Sequence, residues 1–336
     1  MSQAPGDRRT GDERTGDERT GARATGDDRP VAYVLRALGL GDLLVSVPAL
    51  RALRRARPGH RVVLAAPAWL GPVVALTGCV DELLPVAGLD AALPVLEDPV
   101  DLAVNLHGRG PQSHALLDAL TPRHRIGHAA PGWDGPAWVD DTLERRRWLD
   151  VLRHHRIPGD EDDLAIGRPA ATSPAPGAVV VHVGAAYGSR SWPAERFAAV
   201  ARTLAAEGRA VVLTGSAAER GRASVVAATA GLPDATNLAG RTDLDGLAAL
   251  VAGASLLVSV DTGAAHLATA YGTPSVVLFG PAPPSRWGPP ADGPHVVLTD
   301  ARLRRGDVFA AEPDPALLAV TPAQVLRAAH RLLPGA

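Results

Sequence analysis

The chain has 336 residues, a formal charge of −2, and 46% hydrophobic but only 4% aromatic residues. That length suits two ordinary domains with aliphatic cores, and the balanced charge offers no general attraction to nucleic acid or an anionic membrane. Cys79 is the single cysteine, which excludes an intramolecular disulfide or a thiolate cluster. Lys is absent, so Arg must take any phosphate-binding task. No apolar run reaches the ~18 residues of a membrane span, and the N-terminus lacks an apolar signal core. A cytoplasmic protein is expected, with peripheral contact at the inner face of a membrane left open.

Residues 1–29 contain Arg9-Thr10-Gly11-Asp12-Glu13, repeated at 14–18. Alternating charge and scarce apolar residues cannot offset chain entropy, so this tail is expected to be disordered. From Val31 strands and helices alternate. The pattern predicts a strand at 31–36, a Gly-containing loop at 38–41 and a helix at 42–57, with Pro48 kinking it or near its first turns. Further strands are expected at 61–66, 100–105 and 123–126. Residues 167–177, rich in Pro, Ala and Ser, read as an interdomain linker.

A second series follows: strands at 179–183, 210–214, 235–238, 256–260 and 275–279, and helices at 193–207, 217–230 and 245–252. The expected fold is α/β, with two Rossmann-like domains, 30–166 and 178–320, facing across a cleft. A last helix at 322–333, within a separate segment 321–336, is expected to pack back on the first domain.

The most informative stretch is Leu256-Leu257-Val258-Ser259-Val260-Asp261-Thr262-Gly263-Ala264-Ala265-His266-Leu267. An apolar strand runs into a tight Thr-Gly turn and a helix start. Gly263 allows close approach of a ligand, and the amides at 262–264 with the helix dipole make an anion site. Side chains tilt toward a helix N-terminus, so His266 reaches back over the same spot. Asp261 would meet repulsion from a phosphate, so it is expected to orient the loop or bond a sugar hydroxyl. A plain Rossmann turn is the competing reading.

Glu219, after the strand end at Thr214, suits a ribose diol or a helix-start charge equally. Asn105, His107 and Arg109 follow the 100–105 strand and face the expected acceptor side, or form an ordinary polar loop. Asp243-Leu244-Asp245 has metal-ligand spacing, but it opens a helix and fits capping better. No metal and no cofactor are expected.

Three motifs in order resemble glycosyltransferase family 9, the heptosyltransferase-like inverting enzymes of GT-B fold. They are Leu40-Gly41-Asp42-Leu43-Leu44 with Pro48-Ala49-Leu50-Arg51-Ala52-Leu53, then Val181-His182-Val183-Gly184 with Arg190-Ser191-Trp192-Pro193-Ala194-Glu195-Arg196-Phe197, then residues 258–267 closed by Gly272-Thr273-Pro274 and Phe279-Gly280-Pro281. The resemblance spans about residues 31 to 290. It implies metal-independent transfer of a sugar from a nucleotide donor, typically an ADP-heptose, to a hydroxyl of a glycoconjugate or small molecule. It puts the catalytic base at Asp42, which is otherwise a helix N-cap. It assigns Arg190 to the diphosphate, where relatives usually carry Lys, with Thr262, Gly263, Ala264 and His266. It sets Arg241 and Thr242 beside the base of the nucleotide. A GT-B-fold nucleotide-sugar epimerase and a catalytically silent nucleotide-sugar-binding protein are the alternatives.

Overall fold

Each half of the chain is built around a strand so apolar that both its faces must be covered. A computed structural model describes residues 28–333. In the first half β1 (Val31–Leu35) is fully buried, followed by α1 (Leu40–Ala56), β2 (Arg61–Ala66), α2 (Gly71–Thr77), β3 (Glu82–Pro85), β4 (Val100–Asn105), α3 (Gln112–Asp118), β5 (His124–Ile126) and α4 (Glu144–His154). The strands form one parallel sheet in the order β3-β2-β1-β4-β5.

The second half runs β6 (Val179–His182), α5 (Ala194–Ala206), β7 (Val211–Thr214), α6 (Arg220–Ala230), α7 (Leu244–Ala252), β8 (Leu256–Val260), α8 (Gly263–Tyr271), β9 (Ser275–Leu278), α9 (Pro284–Trp287), β10 (His295–Leu298), α10 (Pro315–Leu318) and α11 (Pro322–Leu332). Its parallel sheet is ordered β10-β9-β8-β6-β7. This is the doubly wound pair expected for a GT-B fold.

Strand order decides where ligands can enter. Connections leave β1 and β4 in opposite directions, as do those leaving β6 and β8, and a crevice opens at each such switch point. The loops after β1 and β4 therefore face one crevice, and those after β6 and β8 the other. Below these edges the lobes are not separate. Leu43 and Leu50 of α1, Leu250 of α7, Leu267 of α8 and Val180 and Leu257 of the second sheet share one apolar cluster. The 167–177 segment is tied down at both ends, by Gly167 N–H to the Leu76 carbonyl at 2.8 Å and Gly177 N–H to that of Gly253 at 2.8 Å.

Several expectations need correction. The expected strand at 235–238 is a short 3₁₀ turn, Asp234–Thr236, with a single bridge between Leu213 and Asn237. Pro48 lies in the middle of α1 and not near its start. The last helix does not return to the first lobe. Its Val325, Ala328 and Ala329 join the core of the second, against α5 and β8 to β10. Pro322 at its first turn and a Thr321–Gln324 capping box fix its start. The tail expected to be disordered lies, through residue 27, outside the described residues.

Among the described residues six imidazoles, His107, His114, His128, His155, His182 and His295, sit in positions that disfavour their charged form. Burial pushes His107, His182 and His295 each down to about 4; the Arg36 guanidinium adds to the shift at His107. Between pH 6.5 and 4 the unfolded chain takes up protons that the folded one refuses, so stability present above this window is lost as pH falls through it. The melting temperature is expected to drop steadily from pH 7 to 4.5 in calorimetry, and less steeply in His295→Gln. A flat profile would contradict this.

Candidate active site

The two crevices meet where the first turns of α1 and α8 touch. A Cβ placed on Gly41 would lie 2.7 Å from His266 Cδ2, and one placed on Gly263 2.9 Å from Leu40 Cβ. Real contacts do not close to that distance, so only glycine permits this approach at either position. Asp42, the residue after Gly41, is thereby brought to the seam beside α8.

The helix starts leave these groups available. Gly39 is the N-cap of α1 and makes no side-chain bond, so Asp42 sits in the first turn and is not a cap. Its Oδ1 accepts from Arg36 Nη2 at 3.3 Å, while Oδ2 takes no hydrogen bond among the described residues. Thr262, the N-cap of α8, is extended with φ −146° and also makes no cap bond; its hydroxyl pairs with Ser259 Oγ at 3.0 Å. The N–H groups of Gly263 and Ala264 have no acceptor within the helix and carry its positive end.

Beside them Asp261 is buried between Arg190 and His266. Its carboxylate lies 3.5 Å from Arg190 Nη1 and 3.6 Å from His266 Nε2. Arg190 also donates to the Asp261 carbonyl at 3.4 Å, yet its Nε is buried without a partner. The Trp287 ring lies edge-on to His266, 6.3 Å between centroids.

The other candidates divide. His107 faces the same region, and its Nδ1 accepts from Ala37 N–H at 3.2 Å. That leaves the proton of the neutral ring on Nε2. Asn105 does not face an acceptor: it is fully buried, its amide donating to Ser113 at 2.9 Å and its carbonyl accepting from His107 N–H at 3.0 Å. It shapes the loop. Arg109 is exposed beyond it.

On the second lobe Glu219 spans two strand ends, accepting from Ser216 N–H at 2.6 Å and Ala185 N–H at 2.7 Å. The capping reading accounts for the Ser216 bond, while the Ala185 bond ties the loop after β6 to the same carboxylate. Asp243 caps α7, accepting from Gly246 N–H at 2.8 Å. Arg241 is exposed and Thr242 half-buried at the start of the same helix.

Residues 155–304 match the family model described as glycosyltransferase family 9 (heptosyltransferase). Lipopolysaccharide heptosyltransferase 1 of Pseudomonas aeruginosa is 37% identical over 157 residues, 45% of this chain and 43% of that protein. The crystal structure of the glycosyl transferase family 9 protein from Veillonella parvula superposes with a TM-score of 0.74 at 21% identity, covering 90% of this chain and 97% of that one. That of E. coli ADP-heptose lps heptosyltransferase II gives 0.71 at 23%, covering 90% and 98%. Over residues 155–304 the chain is similar to glycosyltransferase family 9. In sequence it spans under half the length of the curated relative it matches.

The structure also adds candidate residues that lie outside the sequence motifs. Arg36, Glu144 and Trp148 are buried around Asp42. A signal existed for one of them: Arg36 directly follows five apolar residues that are buried on both faces. From the same helix as Glu144, Arg145 crosses to the second lobe and donates to the Gly288 carbonyl at 2.8 Å. A cavity of about 390 Å³ lies away from all of this, at the C-terminal end of α8 between residues 162–168 and 290–295.

If the glycine seam sets the spacing, Gly41→Ala and Gly263→Ala should force the helix starts apart while leaving both sheets intact. A displacement near 1 Å costs on the order of 100-fold in rate. Steady-state kinetics with circular dichroism would check this; full activity in both variants would contradict it.

Proposed function

We propose that this chain is a metal-independent inverting glycosyltransferase that moves a heptose or related sugar from an ADP-linked donor to an acceptor hydroxyl. The observation that carries this reading is the glycine seam. It brings a carboxylate on one lobe to the positive helix end on the other. The relatives' printed names, heptosyltransferases and an ADP-heptose enzyme, support the donor class.

In this mechanism the amides of Gly263 and Ala264 and the Arg190 guanidinium bind the donor diphosphate. A phosphate oxygen would also satisfy the buried Arg190 Nε. His266 and Thr262 border it, and Asp261 fixes Arg190 and His266. Asp42 Oδ2 removes the proton from the acceptor hydroxyl as its oxygen bonds to the anomeric carbon. The bond from that carbon to the diphosphate oxygen breaks on the opposite face, which inverts the configuration. The charge released on the nucleoside diphosphate falls on groups already oriented toward it.

Glu219, Arg241 and Thr242 lie along the second-lobe edge where the nucleoside would extend, with Glu219 holding the strand-end loops. His107 and Arg109 border the acceptor, a glycan, glycolipid or small molecule. The enzyme would act in the cytoplasm or at the inner membrane face, a placement that a single unpaired cysteine supports. None of the helices among the described residues is long and apolar enough to cross a membrane.

Asp42→Asn tests the assignment. Loss of a general base lowers the rate by roughly 100- to 10,000-fold, with binding of ADP-heptose unchanged in calorimetry. Transfer at the wild-type rate would remove Asp42 from the mechanism. Conversion of the donor with no acceptor present would favour an epimerase instead.

A further inference from the structure

Behind Asp42 lies a closed set of charges. Arg36 is 1% exposed. Its Nε donates to the Asp42 carbonyl at 2.9 Å, its Nη1 to the Leu106 carbonyl at 2.6 Å, and its Nη2 to Asp42 Oδ1 at 3.3 Å. The same Nη2 lies 3.6 Å from Glu144 Oε1, and the guanidinium stacks over Trp148 at 4.8 Å. Glu144 in turn accepts from Arg147 Nε at 2.9 Å, and Arg147 stacks over Trp138 at 3.9 Å.

We infer that Arg36 is the positioning residue for the proposed base, and that Glu144 holds Arg36 to that task; this rests on the assignment of Asp42 above. The planar fork of Arg grips Asp42 by main chain and side chain together, so both the first turn of α1 and the carboxylate rotamer are set. Oδ1 is occupied and Oδ2 is left to accept a proton.

Charge balance supports the same conclusion. Two guanidinium groups, Arg36 and Arg147, face two carboxylates, Glu144 and Asp42, and the set is neutral only when Asp42 is ionised. Removing one member leaves a buried charge uncompensated. The remaining titratable groups facing Asp42 do not upset this balance: His107 stays neutral in its buried site, and His266 approaches across the seam at Gly41, paired with Asp261. Glu144 therefore has a purpose beyond an intrahelical pair with Arg147. It keeps Arg36 from neutralising Asp42 alone.

The test compares Arg36→Gln, Arg36→Lys and Glu144→Gln with wild type, measuring kcat against pH and the affinity for ADP-heptose. In Arg36→Gln, kcat should fall about 100-fold, within the range for a misplaced base. Its acid limb should move to higher pH, with donor affinity within threefold of wild type. Arg36→Lys keeps the charge but loses the fork, so its acid limb should stay while kcat falls about tenfold. A lost donor affinity with an unmoved limb would show a merely structural role and overturn the inference.

If Arg36→Gln does not fold, wild-type kcat in either other variant overturns it equally. Carbon-13 titration of the Asp42 carboxylate, identified by its loss in Asp42→Asn, needs no turnover. It should move up in Arg36→Gln and down in Glu144→Gln. Unmoved titration would overturn the Arg36 role even if no transferase activity existed, so the two failures are distinguishable.

Discussion

Everything at this site depends on how closely two helix N-termini approach across the lobes. Gly41 and Gly263 remove the two Cβ atoms that would hold α1 and α8 apart. Without that contact the carboxylate of Asp42 and the amide end of α8 would belong to separate crevices. With it, a group able to take a proton and a site able to hold an anion face one volume. The shared apolar cluster beneath keeps the approach in register, because side chains of α1, α7 and α8 pack as one core.

The polar groups follow from the same geometry. Each lobe places an Arg at its switch point, and each Arg serves a neighbouring Asp: Arg36 with Asp42, Arg190 with Asp261. The two pairs differ in how complete they are. Arg36 spends its donors on fixed protein acceptors, whereas Arg190 keeps a buried Nε unspent. A satisfied guanidinium holds its neighbour in place, and an unsatisfied one awaits an acceptor. The proposed division between a proton-accepting and an anion-binding lobe rests on these differences.

Much of the fold was legible because its main strands are continuous apolar runs. Val31–Leu35, Leu256–Val260 and Ser275–Leu278 could hardly be anything but buried parallel strands. The edge strands β3 and β10 were not seen, being four residues long and only half-buried. Helix α4 was missed because Glu144, Arg145 and Arg147 are buried among its apolar residues and obscure its amphipathic face. Within the site, the Asp261–His266 turn declares itself through its glycine and its position after a strand. The partnership of Arg36 with Glu144 joins residues 108 positions apart, and no local pattern announces it. Asn105 is expected on the acceptor side because the sequence shows a polar residue at a strand end, not the direction of its amide. The final helix was misplaced for a similar reason: its apolar face needs a partner, but its spacing does not say which sheet supplies it.

The most direct measurement is a crystal structure with ADP and a non-reactive fluorinated donor sugar. The account requires diphosphate oxygens within hydrogen-bond reach of the Gly263 or Ala264 amides and of Arg190. It also requires Asp42 Oδ2 on the opposite side of the anomeric carbon from the diphosphate. A donor lodged in the cavity at the far end of α8, or an anomeric carbon facing away from Asp42, would contradict it.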